Sequence, residues 1–409
     1  MAPPDGAAGN GAKLVAAMTL TKTGDRVVDA KTVLAWLFAT LGVPAFLTGL
    51  LVPIRESGSL LPQAALVPLV RRRPRRKVVW IAGAAGQAVA VLVMAVVAVT
   101  SRGAAAGWAV LAALAGFALS RSLASIASKD VLGRTIPKGR RGRISGAATV
   151  MSGMVAIAGG AAIGLLGDGA GPATFAWLLV GGAAMWLLAL LVYVTVREPV
   201  GDHAPDADAS EIVRSLALLR DDPPFRRFVV ARTLLLVSAL APPFVVTLAS
   251  REAGTAIAGL GPFVIAQGLA SMLGGRAWGR LADRSSRATM VWSAGLAGVV
   301  VLAFLAALRI GPVADAAVTY PLVYFVLALL HTGSRLGRKT YVVDLAEGDR
   351  RTRYVAVSNT AMGVLLLVTG AVSAGLAGLG IELALAFLAV LGLAAVPVAR
   401  SLPDVSARA

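Results

Sequence analysis

Arg121 stands inside an apolar stretch, residues 106–127, that is about as long as a membrane is thick. A guanidinium in such a place is costly unless it has a partner or a task. At a separation of 210 residues, His331 occupies the corresponding place in a second stretch, residues 318–337. Two basic groups facing one interior would suit an anionic or polar small molecule; the alternatives are an arginine reaching back to the surface and a packed histidine. Neutral hydrogen-bonding side chains accompany them: Ser125 near Arg121, Gln267 in residues 255–275 and Asn359 in residues 355–377. They are candidate binding groups, and equally candidates for bonds between helices, worth about 0.6 kcal/mol each.

Carboxylates are scarcer. Glu56 and Glu252 each follow an arginine, in Arg55-Glu56-Ser57-Gly58 and Arg251-Glu252-Ala253-Gly254. Both are expected near the outer surface, as proton-binding or gate carboxylates or as plain surface ion pairs. Asp130 and Asp344 are expected at the mouth of the interior, as gate partners. Other chemistry is excluded by composition. With no cysteine and only two histidines, His203 and His331, neither a thiolate nor a His-rich metal site can be assembled. The run 167–172, Gly-Asp-Gly-Ala-Gly-Pro, lacks the Lys-Ser/Thr pair of a phosphate loop and reads as a turn. No enzyme activity, cofactor or metal is expected.

The elements that must position these residues are membrane-spanning helices. Of 409 residues 57% are apolar and 15% charged, against about 25% charged in soluble domains. The sequence predicts twelve spans, at 33–54, 57–70, 78–100, 106–127, 145–166 and 173–196, then at 228–249, 255–275, 289–308, 318–337, 355–377 and 381–399. Residues 1–30 read as a polar tail without a cleavable signal, 197–227 as a linker with an amphipathic piece at 211–220, and 400–409 as a second tail. Of 39 Lys and Arg, 34 then fall on one side and four, at 55, 102, 251 and 309, on the other. Positive loops stay in the cytoplasm during insertion, which puts both termini there and suits a bacterial inner membrane. The net charge of +18 belongs to these loops, so no nucleic-acid partner is expected; the bilayer is the partner.

The halves resemble each other. Residues 129–143, KDVLGRTIPKGRRGR, align at the offset of 210 with 339–353, KTYVVDLAEGDRRTR, and Gly153 aligns with Gly363. Lys31-Thr32 pairs with Arg232-Thr233, each followed by proline, Pro44 in one half and Pro242-Pro243 in the other, expected to break its helix at mid-depth. The expectation is two bundles, residues 31–196 and 228–399.

Between spans 8 and 9 runs Gly275-Arg-Ala-Trp-Gly279-Arg-Leu-Ala-Asp283-Arg284-Ser-Ser-Arg287. It resembles the G-x-L-x-D-R-x-G-R-[KR] loop signature of the major facilitator superfamily. The loop at 68–77 keeps the basic residues but has Arg72 where the aspartate would stand. The resemblance implies an all-α membrane protein with twelve transmembrane helices in two pseudo-symmetric six-helix bundles. It also implies that Asp283, with Arg284, faces the start of span 5 near Gly142–Gly146, and that Gly275 and Gly279 allow close helix approach. The implied activity is secondary transport of a small organic solute by a monomer, proton-linked, with export favoured on the ground of an apolar cavity. The alternatives are an ion-independent uniporter and a non-transporting receptor or scaffold. Span 5 lacks the Gly-Pro pair of the antiporter signature.

Overall fold

The computed structural model describes residues 7–136, 141–165, 171–200, 217–252, 257–310, 318–345 and 348–405. Among them the helices assemble into twelve spans. Span 1 is Ala7–Val27 continued by Val33–Thr40; span 2 is Ala45–Thr48, Leu51–Leu60 and Gln63–Arg71. Spans 3 to 6 are Arg76–Thr100, Gly103–Thr135, Arg141–Gly164 and Pro172–Val194. Span 7 is Pro223–Leu234 continued by Val237–Glu252. Spans 8 to 12 are Gly261–Arg284, Ser286–Ala307, Thr319–Asp344, Gly348–Leu379 and Ile381–Arg400.

Eight spans are long and apolar enough to cross a membrane unaided: 3, 4, 5, 6, 7, 9, 11 and 12. The remaining four are interrupted or carry charges, and together with parts of spans 4, 7 and 11 they line the interior described below. This accounts for the largest departure from the sequence reading. Residues 7–27 are not a tail but the first part of span 1, packed on spans 5 and 6. Lys13, Lys22, Asp25 and Arg26 hide the helix from a hydropathy window, although it buries Leu14 and Ala17. Span 2 moves with it: Leu41–Pro44 is the outer turn, and Gly103 N–H donates to Leu41 O across to the turn before span 4. Gly42 takes φ 67° in that turn, a conformation glycine adopts without strain.

The prolines are also displaced from their expected places. Pro44 opens span 2 at the outer turn, and Pro242-Pro243 lie within the continuous helix Val237–Glu252. The breaks fall instead at residues 28–32 in span 1 and at Leu235-Leu236 in span 7. Span 7 begins five residues earlier than expected, where the Asp222 carboxylate accepts the Phe225 N–H as a helix cap. The expected amphipathic piece at 211–220 lies mostly outside the described residues.

Equivalent carboxylates tie the basic ends of the two halves. After span 6, Glu198 accepts the backbone N–H of Arg76 and of Lys77 at 3.0 and 2.8 Å, capping span 3. After span 12, Asp404 accepts the Ser285 hydroxyl at 3.0 Å and pairs with Arg287 at 3.4 Å, at the start of span 9. In each case negative charge meets the positive end of a helix.

The halves meet along two seams, span 2 against span 11 and span 5 against span 8. Glycines set the spacing: an added Cβ on Gly160 would stand 3.0 Å from Gly261 O and 2.9 Å from Ile265, and one on Gly370 would overlap Pro53. At the outer end, spans 1 and 7 also pack together, and Trp36 lies buried against Phe263. One apolar core there draws on both halves. Toward the basic end it divides into two, one around Phe225, Phe228, Tyr341 and Tyr354, the other around Leu14, Trp80, Val131 and Tyr193. Between them the molecule is open.

Gly160→Leu is expected to destabilise the protein by about 1–3 kcal/mol through overpacking of the second seam. Thermal unfolding in detergent measures it, and an unchanged midpoint would remove Gly160 from the seam.

Candidate functional site

The opening between the two basic-end cores leads to a charged chamber at mid-depth. Its N-terminal wall is built around the break in span 1. When a helix stops inside a membrane its last carbonyls lose their partners. Arg55, on span 2 and 7% exposed, supplies them: its guanidinium donates to Val28 O and, at 3.3 Å, to Asp25 O. A cation at a helix C-terminus is also favoured by the helix dipole. Asp29 Oδ1 accepts the Lys31 N–H at 2.8 Å and starts the helix again. Arg55 further pairs with the Asp25 carboxylate at 3.3 Å and lies 5.5 Å from the Phe117 ring centre.

Arg121 donates to that same Asp25 oxygen. One carboxylate thus holds two guanidiniums, which lets all three charges sit at this depth. Arg121 does face the chamber, with 37% of its side chain exposed, but its charge is already met. Ser125 lies one turn further along span 4, half-buried, its carbonyl accepting from Ser128.

Glu56 requires a correction. It was expected at the outer surface; it lies in the middle of span 2, exposed to the chamber, within electrostatic range of Lys31, Arg55, Arg121 and Arg335. The assumed equivalence with Glu252 fails for the same reason, since Glu252 ends span 7 at the outer side. The Glu252 side chain lies outside the described residues.

The C-terminal wall is built of arginines. Arg232, just before the break in span 7, donates to Ser358 Oγ at 2.8 Å and to Asn359 Oδ1 at 2.9 Å on span 11. Arg338 on span 10, 8% exposed, donates to Ser334 O of its own helix and reaches Met362 Sδ at 3.6 Å. Arg335 is exposed beside them. His331 Nδ1 lies 3.3 Å from Ser238 Oγ of span 7. Gln267 Oε1 accepts the Tyr324 hydroxyl at 2.7 Å, and its carbonyl accepts from Ser271. Ser271 in turn accepts from Arg26 across the two halves at 2.9 Å.

The structure therefore brings Arg121, Glu56, His331 and Asn359 to one chamber, with Ser125 and Gln267 on the same spans. It places the expected gate groups elsewhere. Asp130 pairs with Arg76 at 3.6 Å at the basic end, within one half, and is not a gate partner across the mouth. Asp344 ends span 10, exposed. Asp283 and Arg284 end span 8, both exposed, and no described residue forms an ion pair with Asp283. Gly275 and Gly279 have open space where a Cβ would stand, so they bring no helices together here. The side chains of Gly142–Gly146, the expected partner of the loop signature, lie mostly outside the described residues. Sequence reasoning missed Asp25, Asp29 and Lys31 because the first span was placed too late in the chain; it counted Arg232 and Arg335, at the ends of spans 7 and 10, and Arg338 just beyond, with the basic flanks.

The sequence pattern of the Major Facilitator Superfamily matches residues 29–336. The chain belongs to this family. No curated protein matches the sequence. Solved structures of such transporters share the fold across nearly the whole chain. The nucleoside transporter NupG superposes with a TM-score of 0.75 at 12% identity, covering 96% of this chain and 99% of that one. A D-xylose-proton symporter gives 0.73 at 12% identity, covering 97% and 98%. A bacterial homologue of the human lysosomal transporter Spinster, in an inward-facing and unoccupied conformation, gives 0.63 at 14% identity, covering 98% of each. Identities this low carry the fold and not the cargo. This Major Facilitator Superfamily chain is a multi-pass membrane transporter.

Asp25→Asn is expected to lower stability by about 3–5 kcal/mol, because it leaves two guanidiniums without their shared carboxylate. Arg121→Gln, which leaves the Arg55 pair intact, is expected to cost less. Thermal unfolding of the two purified variants decides, and the opposite ranking would discard the shared-carboxylate account.

Proposed function

We propose that the chain is a secondary transporter that moves a small polar organic solute by alternating access, working as a single chain. The observation that carries this reading is the course of the apolar core. It is continuous between the halves at the outer end and divided at the basic end, with a charged chamber where it divides. Two rigid bundles joined along glycine-lined seams can rock about such a chamber and expose it to each side in turn. The basic loops face the cytoplasm, by the retention of positive charge, in a bacterial inner membrane with both termini inside. The conformation is then open to the cytoplasm.

Proton linkage is supported by two carboxylates at membrane depth. Glu56 is open to the chamber and Asp25 is shared between arginines, so protonation of either redistributes charge at the place where solute would bind. An ion-independent carrier has no evident use for a solvent-exposed carboxylate among four cations. The expected export rested on an apolar cavity, and the charged chamber removes that ground.

The absence of cysteine makes introduced thiols specific reporters. Lys129 and Lys339, on spans 4 and 10 at matching positions of the two halves, lie within electrostatic range of each other. Cross-linking Lys129→Cys to Lys339→Cys in liposomes is expected to halt solute counterflow, and reduction to restore it. Continued flux through the fully cross-linked protein would refute rocking, and a failure of any solute to move would favour the receptor or scaffold. Glu56→Gln is expected to remove the acceleration of uptake by an imposed pH gradient; undiminished acceleration would take Glu56 out of the coupling.

A further inference from the structure

The two walls of the chamber are electrically unlike. On the N-terminal wall every strongly placed cation has a carboxylate in reach: Asp25 holds Arg55 and Arg121, while Asp29 and Glu56 lie within range of Lys31. Among the described residues, no carboxylate of the C-terminal half forms an ion pair with the arginines of the C-terminal wall. Arg338 is more than nine-tenths buried, yet its described contacts are a carbonyl of its own helix and a thioether. Arg232 meets only the neutral Ser358 and Asn359, and its Nε is buried without any hydrogen-bond partner. Arg338 lies within electrostatic range of both Arg232 and Arg335, which gathers three like charges.

These groups converge. His331, Arg335 and Arg338 follow one another at i, i+4 and i+7 and share one face of span 10. Arg232 and Arg338 reach residues 358, 359 and 362, one turn of span 11. The carboxylate that acts on Arg338 is Glu56, from the opposite half. Like charges gathered at membrane depth without a resident counterion repel one another and remain poorly solvated. A forked, always-charged guanidinium is suited to bidentate hydrogen bonding of a carboxylate or phosphate.

We infer that Arg232, Arg335 and Arg338 form an anion-binding site in the C-terminal half, and that the cargo is a small organic solute bearing a carboxylate or phosphate group. This rests on the transporter reading above and names the substrate class for it. Asn359 orients Arg232 and is a positioning residue. Glu56 is the built-in competitor: it faces the arginines in the empty carrier and is displaced by the cargo anion. The Lys129–Lys339 pair across the mouth makes closure of the empty chamber unfavourable, and a bound anion offsets that repulsion.

The test uses the full chain in lipid-free detergent at constant ionic strength, with succinate and inorganic phosphate as probes and chloride and glucose as controls. Melting and calorimetric titration read the binding, since a ligand of the folded state raises the melting point with the logarithm of its concentration over Kd. Succinate or phosphate should stabilise the wild type where the controls do not. Arg338→Gln should weaken binding about 30-fold or more, Arg338→Lys less, and Glu56→Gln should strengthen it. Equal stabilisation of wild type and Arg338→Gln would assign the effect to the basic loops and overturn the site. Loss of binding in Arg121→Gln alone would move the site to the other half and overturn it as well, as would a wild type that responds to neither anion. Counterflow in liposomes separates this from the transporter reading: flux of an uncharged solute indifferent to Arg338→Gln defeats only the anion site, whereas anion binding with no flux of any solute defeats only transport.

Discussion

Charge cannot be left alone at membrane depth, and the N-terminal half is arranged around the way it meets this constraint. Asp25 accepts from Arg55 and Arg121, and Arg55 at the same time takes the carbonyls freed by the interruption of span 1. Three spans are joined by that one carboxylate. The interruption is therefore stabilised by side chains of a neighbouring helix and needs no proline. Because the charges satisfy one another inward, the lipid-facing surface of spans 3, 4, 5 and 6 remains apolar, as in Val89, Val96, Leu119 and Leu191.

The same constraint governed what was legible in the sequence. Spans 3 to 7, 9, 11 and 12 carry long apolar runs, and their positions follow from hydropathy alone. The 210-residue offset is equally plain, and it lays Arg76 at the start of span 3 onto Ser286 at the start of span 9. Span 1 was hidden because its function requires charges where a hydropathy window requires none. Lys22, Asp25, Arg26 and Asp29 read as tail because the partners of the deeper charges are remote in sequence: Asp25 pairs with Arg55 and Arg121, 30 and 96 residues away, and Arg26 donates to Ser271, 245 residues away. Arg335 at the expected end of span 10 and Arg338 just beyond it were counted as flanking cations for the same reason. Charge within reach of a span end looks like a flank, and only the length of Thr319–Asp344 shows that these residues lie inside it. The prolines misled in the opposite direction, since a strong local signal was overridden by packing at Pro242-Pro243 and by the outer turn at Pro44.

Symmetry of backbone does not extend to symmetry of charge. The carboxylates Glu198 and Asp404 stand at similar places, one capping span 3 directly and the other holding the Ser285 cap and Arg287 of span 9, as expected of parts that only hold a bundle together. The chamber walls do not repeat. Among the described residues Asp25 has no acidic counterpart beside Arg232, whose partners are Ser358 and Asn359. Divergence is concentrated where the halves face the solute, and likeness where they hold themselves.

The seal at the outer end is of another kind. Trp36, Phe38, Phe244 and Phe263 close it with apolar contact, whereas the basic end is governed by charge. Exposing such a seal to water carries a positive heat-capacity change, and apolar burial weakens on cooling. In the alternating-access reading proposed above, the equilibrium between the two orientations is tied to temperature through one end and to ionic strength through the other. Cold weakens the aromatic plug, while salt screens the lysines and arginines of the opposite mouth.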